Sequence, residues 1–377
     1  MKNRFPTQRG FSLVELMIAL VLGLFLTGVT INVVIANRQA FRTTENLSRM
    51  QENARTAFEL MARDIRVAGG NPCGTSNVVN VLNNPAANWW ANWAAGSVIG
   101  YENGIAPAGY GNPVQNAPLF AAITGANNQP PTPPVIPPPM TPNTDGILLL
   151  SGNAIEGLMI SDHNPTSAQF QVNIQQNHGV ATNDIVMACD YQSAAIFQVS
   201  NANQNNPTIV HNTGAGAPGN CTKGLGSPLQ CTANGTPKTF EEGGFLVRFS
   251  ATFWYVGANA RGGSSLFRVT MNGSPTAIRA DEIVDNVCPP GQGGCQGLQI
   301  TYLTRNKLAN GVLANGYVNG NAGIDWSSTA TQEVAAVRIS LDLQSRENTG
   351  INAANQAAPL ITNLSENIYL RNREFAQ

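Results

Sequence analysis

The sequence predicts an α+β chain: one long N-terminal α-helix, apolar in its first half and amphipathic in its second, packed on an antiparallel β-sheet head with large loop insertions. Three observations predict it. Leu16–Ala36 runs for 21 residues without a charge. Apolar residues then recur at spacings of three and four from Leu47 to Ala68. Beyond Cys73 the chain breaks into short runs in which apolar and polar residues alternate.

The first element is a membrane span. At a rise of about 1.5 Å per residue, the uncharged run makes roughly 30 Å of helix, the thickness of a bilayer core. Lys2, Arg4 and Arg9 precede it with no acid among residues 1–10, which holds that end in the cytoplasm and sends the rest across. A removable secretory signal would be shorter, about 7–15 apolar residues, and would end in a small-x-small site; Val34-Ile35-Ala36 fits that poorly. One residue is out of keeping. Glu15 stands at the mouth of the span, where a carboxylate costs from about 2.5 kcal/mol upward. It lies only about 7 Å below a helix start at residue 11. Either it snorkels to the interface unpartnered, or it pairs with a cation in an apolar setting that screens their attraction far less than water does.

The second half of the helix carries Leu47, Met50, Ala54, Phe58, Met61, Ile65 and Ala68 on one face. Glu45 with Arg49 and Glu59 with Arg63 are predicted i,i+4 pairs on the wet sides. Gly69-Gly70 and Pro72 end it. Anchor and rod together predict a single helix of about 58 residues, near 85 Å long, loosened around the weak helix formers Gly23, Gly28 and Asn32.

In the head, strand-like runs fall at 146–151, 156–161, 167–173, 184–189, 194–199, 245–256, 265–271, 298–303, 333–343 and 366–372. Asp281–Val287 reads as a helical turn. Residues 75–145 read as an insertion. It holds Trp89, Trp90 and Trp93, a candidate ligand patch whose alternative is core, and the extended segment QPPTPPVIPPPMTP at 129–142.

Composition narrows the chemistry. A formal net charge of −1 and only 11% charged residues leave no basic patch for nucleic acid. The three histidines, His163, His178 and His211, form no metalloprotease motif, and no nucleophile elbow or P-loop is present. No catalytic residue, cofactor site or metal site is assigned, and a membrane-tethered enzyme has little to stand on. The six cysteines, Cys73, Cys189, Cys221, Cys231, Cys288 and Cys295, all lie beyond the span and make no C-x-x-C pair. That pattern reads as disulfides formed in an oxidising compartment. Many pairings are open; the two sequence-local ones, Cys221–Cys231 and Cys288–Cys295, are favoured and leave Cys73–Cys189.

The stretch Arg9-Gly10-Phe11-Ser12-Leu13-Val14-Glu15-Leu16 resembles the class III signal of type IV pilins and type II secretion pseudopilins. The resemblance implies a leader at 1–10, cleaved after Gly10 by prepilin peptidase, with N-methylation of the new terminus at Phe11. It implies a filament-core helix over 11–36, its amphipathic continuation over 37–70 and a periplasmic head over 71–377. Glu15 would then set register by pairing with the amino terminus of a neighbouring subunit. Further on, ENARTAFELMARDIRVAGG before Cys73, LFRVTM…IRADEIVDNVCP…LQITYL and the closing IYLRNRE resemble the PilW family of minor pilins. That implies a pilin-like fold and a low-abundance subunit that helps initiate type IV pilus assembly, in support of twitching motility, adhesion and DNA uptake. Its partners would be other minor pilins, the major pilin, the inner-membrane assembly platform and inner-membrane lipid. A type II secretion pseudopilin shares the anchor, and a membrane-anchored adhesin is the other alternative. Relatives often carry an acidic loop before the final strands; here it reads NGVLANGYVNGNAGID with one carboxylate, Asp325, too few for the oxygen cage calcium needs. Mass analysis of the mature chain should find an N-methylated Phe11 at its start; a start at Met1 or after Ala36 would defeat the class III reading.

Overall fold

The computed structural model describes residues 12–107, 110, 138–214, 216–308, 311–351 and 356–371. One helix, α1, spans Leu13–Val67 without interruption. The loosening expected at Gly23, Gly28 and Asn32 does not occur: all three lie in continuous helix. Nearby, the hydroxyls of Thr27 and Thr30 donate to the carbonyls of Gly23 and Leu26 at 2.7 and 2.8 Å, so these polar groups are satisfied within the apolar half. On the wet half Arg49 pairs with Glu45 at 2.6 Å. Glu59 takes Arg55 at 2.9 Å in place of the expected Arg63; both lie four residues away, and the rotamer decides between them. Gly69, at φ +73°, leaves the helix in the left-handed region and donates its N–H to Leu150 O at 2.8 Å.

The strands follow in chain order: β1 Val78–Asn80, β2 Val98–Tyr101, β3 Gly146–Asn164, β4 Gln169–Val172, β5 Ile185–Cys189, β6 Ala194–Gln198, β7 Asn201–Ala202 and β8 Thr208–Val210. Then come β9 Phe245–Ala258, β10 Ser264–Asn272, β11 Arg279–Val287, β12 Leu298–Asn306, β13 Val318–Asn319, β14 Gln332–Gln344, β15 Gly350–Ile351, β16 Ala357–Ala358 and β17 Ile361–Tyr369. The main sheet runs β13-β12-β14-β11-β10-β9-β3-β4-β8-β7, with β17 on β14, β2 on β3, β5 on β9, and β6 and β1 beyond β5. Most pairs are antiparallel; β1 joins β6 in parallel.

Two further expectations are corrected. Asp281–Val287 is not a helical turn but most of β11, paired along β10 from Thr270↔Arg279 to Ser264↔Val287. Its apolar residues at 283, 284 and 287 suit either period, and the open hydrogen-bonding edge of β10 decides. Residues 75–145 are not wholly an insertion, because β1 and β2 enter the main sheet from within them. The proline-rich segment lies outside the described residues up to 137.

The described chain divides into two compact units. One holds the helix up to Glu52 with Ser345–Leu360, where Asn46 Nδ2 donates to Thr349 Oγ1 at 3.4 Å and β15 pairs with β16. The other holds Asn53–Gln344 and the strand from Ile361. Within that second unit, Ala54, Ala57, Phe58, Met61, Ala62 and Ile65 are buried, as their spacing predicts. Asp64 interrupts the apolar character of that region. Its carboxylate accepts Arg268 Nε at 2.8 Å and Arg268 Nη2 at 2.9 Å, and Trp254 Nε1–H at 2.9 Å. Trp254 on β9 and Arg268 on β10 are register partners, so one carboxylate clamps the helix to two adjacent strands.

Replacing Asp64 by Ala strands a guanidinium and an indole N–H in a mostly dry interface. It should lower unfolding stability by about 2–3 kcal/mol, with Asp64→Asn costing less. Urea unfolding of the detergent-solubilised chain measures it, and an unchanged midpoint in the alanine variant would refute the clamp.

Candidate functional site

The head does not present the tryptophans as a surface. Trp89, Trp90 and Trp93 are 6%, 5% and 6% exposed, and Trp93 lies 6.0 Å from Phe249, centroid to centroid. The candidate ligand patch is therefore corrected to core. Indole area is worth most when removed from water, and a Trp cluster in sequence does not tell the two uses apart. The cysteines form three bridges, Cys73–Cys189, Cys221–Cys231 and Cys288–Cys295. The first joins the segment just after α1 to β5, and the others close loops of the head. Asp325 accepts the N–H of Ser327 at 3.0 Å. Among the described residues no three His, Cys, Asp or Glu side chains gather as metal ligands.

The N-terminal end of α1 is the other candidate site. Gly10 and Phe11 lie outside the described residues; Ser12 and Glu15 lie within them. Ser12 N–H donates to Glu15 Oε2 at 3.0 Å, and Glu15 N–H approaches Ser12 Oγ at 3.4 Å. Leu16 N–H donates to Ser12 O at 3.1 Å, which closes the first turn. This reciprocal pair is a capping box: serine at the cap and glutamate three residues on satisfy two N–H groups that the helix leaves free. The S-x-x-E spacing that encodes it is readable in the sequence as Ser12-Leu13-Val14-Glu15. A negative group in the first turn also complements the helix dipole. Glu15 Oε1 makes no hydrogen bond among the described residues, so the carboxylate keeps one oxygen for a further donor.

Behind this cap the first half of the helix presents a mostly apolar surface. Leu13 is 74% exposed and Phe25 69%. Among the described residues α1 is the one helix long and apolar enough to cross a membrane, and its most apolar window has no buried part.

Residues 6–31 match the family model for the prokaryotic N-terminal methylation motif. The chain thus carries a prepilin-type N-terminus on an apolar, membrane-anchoring helix, as pilins and pseudopilins do. Such a motif implies processing by prepilin peptidase and assembly partners in general, and proteins that bear it are typically structural. No curated protein and no solved structure matches the chain.

Elsewhere in the head, two of the histidines that sequence reading left apart come together. His163 Nε2 and His211 Nε2 are 3.1 Å apart in an aromatic cage, with Phe170 stacked on His163 at 3.9 Å and Phe197 and Phe240 close by. Phe240 N–H donates to His163 Nδ1 at 3.1 Å, so the His163 proton sits on Nε2 and is donated to His211. The proton of His211 is thereby placed on Nδ1, a buried atom without a hydrogen-bond partner among the described residues. Both rings are neutral in this arrangement; a second proton on either would set donor against donor. Burial lowers His163 to about 4, with Asp162 opposing and Lys238 assisting. Burial, then His163, lowers His211 to about 3.

Because both folded values lie below the unfolded value near 6.5, the pair's contribution to stability is complete above about pH 6.5. It is lost as pH falls toward 4 and then 3, since the unfolded chain takes up protons that the folded chain refuses. Thermal melts should show a midpoint that declines over that window, and His163→Phe with His211→Leu should flatten the decline. A slope unchanged in the double variant would refute this account.

Proposed function

We propose that the chain is a minor pilin of the PilW type, a non-catalytic subunit that helps initiate type IV pilus assembly with other minor pilins, at or near the tip. The observation that carries the reading is the methylation motif at residues 6–31, which runs into an apolar helix whose most apolar window has no buried part among the described residues. Exposed apolar surface of that extent demands lipid or other helices. A leader of residues 1–10 is removed after Gly10, Phe11 is methylated, and the helix over 11–36 passes from the inner membrane into the filament core. Residues 37–70 continue it, and 71–377 form the head. The basic leader keeps the N-terminus cytoplasmic and the head periplasmic, where the three disulfides are stable; on incorporation into the pilus the head becomes extracellular. Prepilin peptidase, the assembly platform, the major pilin and other minor pilins are the partners, and twitching, adhesion and DNA uptake are the processes served.

Glu15 has two tasks in this scheme. One oxygen caps its own helix; the other accepts the amino terminus of a neighbouring Phe11, and an out-of-register subunit leaves a buried charge unmatched. Glu15→Ala should still insert and be cleaved, yet impair filament initiation. Piliation and twitching equal to the parent chain would sink the register role. Crosslinking in cells distinguishes the pilus from a type II secretion filament by whether pilins or pseudopilins are captured.

A further inference from the structure

Among the described residues, strand β17 has one neighbour. It pairs with β14 from Ala336↔Tyr369 to Gln344↔Ile361 in unbroken register, and with no other strand among the described residues. Just beyond it, Leu370 N–H donates to Ala335 O at 3.0 Å, which fixes the direction of the backbone groups. In an antiparallel pair alternate residues bond to the same neighbour. Ile368, Glu366, Leu364 and Thr362 therefore share the inward set with Leu370. Ile361, Asn363, Ser365, Asn367 and Tyr369 turn N–H and C=O to the open side, and these five are the exposed residues of the strand.

Exposed edges of this kind are usually blunted by brevity, lysine, proline or a bulge. The strands at the two ends of the main path, β13 and β7, are each two residues long. In contrast, β17 is nine residues long with no Pro, no Lys and no shift of register, and its single charge, Glu366, belongs to the inward set. At its C-terminal end a hollow of about 280 Å³ is lined, among the described residues, by Arg66, Asn367, Tyr369 and Arg371, two guanidinium groups and no carboxylate. Arg338, the register partner of Asn367, donates to its Oδ1 at 2.8 Å and lies 4.1 Å from the Tyr317 ring centroid, adding a third cation to that side.

We propose that the open edge of β17 is a strand-addition site for an extended segment of a partner subunit, with an Asp or Glu of that segment seated between Arg66 and Arg371. The added strand takes the outward N–H and C=O groups, which read no sequence, and the arginine pair supplies selection through charge-assisted hydrogen bonds to the carboxylate. Only the identity of the partner, another filament subunit, rests on the reading proposed above.

The test uses the full chain in detergent micelles and a synthetic peptide of alternating Thr and Val that ends in two aspartates. Binding is read by fluorescence anisotropy and by hydrogen exchange at 361–369. The amides of Asn363, Ser365 and Asn367 should slow on addition of peptide. Affinity should fall about tenfold in Arg66→Gln/Arg371→Gln and with a peptide ending in lysines. Ser365→Pro removes an outward donor while leaving the bonds to β14 in place, and should abolish protection without moving the thermal midpoint. The arginine variant carries the test if that proline unfolds the strand. Absence of binding, protection at another segment, or equal affinity for the lysine peptide overturns the proposal. None of these measurements needs a filament, so a failure of Glu15→Ala to affect assembly would leave them standing, and the reverse holds as well.

Discussion

One carboxylate ties the rod to the head. Asp64 accepts three hydrogen bonds, two from the guanidinium of Arg268 and one from the indole of Trp254, and so connects α1 to adjacent strands at the middle of the sheet. Phe58, Met61 and Ile65 are buried alongside it, but apolar contact is non-directional and would tolerate sliding or rotation of the helix. A bidentate arginine and a single indole donor have one satisfactory geometry. The cluster therefore fixes the rotation of the helical segment within that unit, from Asn53 to Val67, against β9 and β10.

The two ends of α1 solve opposite solvation problems. At the C-terminal end, Gly69 and Gly70 hand the chain into the sheet through bonds to Leu150 and Gly152, so the last turn is absorbed by the head. At the N-terminal end Ser12 and Glu15 close the turn between themselves. A residue that looks like a flaw when only the cost of a charge in lipid is counted is, in its local setting, the helix cap. That local use leaves part of the carboxylate unused, which suits a group whose second partner arrives with another subunit.

Much of the architecture was legible in sequence. The span, the amphipathic continuation, the stop at Gly69-Gly70 and most strands follow from periodicity and from glycine and proline, because these signals are local. Three of the readings that failed share a single cause. The segment 281–287 reads equally as turn or strand until β10 offers it an edge. Trp89, Trp90 and Trp93 read equally as surface or core until the sheet closes over them. Glu59 stood between two arginines and took Arg55. In each case the residues allow two states, and the choice belongs to a neighbour that the chain supplies from elsewhere.

By itself the sequence determined the features that arise within a few residues: the methylation motif, the length and apolarity of the anchor, the S-x-x-E cap and the alternation of the strands. Covalent order and local hydrogen bonding suffice for these. Only the tertiary structure decided that Asp64 would meet residues 190 and 204 positions away. It alone paired His163 with His211 across a separation of 48, and it alone left β17 with one pairing partner among the described residues. Contacts of that range depend on which surfaces remain to be covered once every strand has found a partner, and no stretch of sequence contains that information on its own.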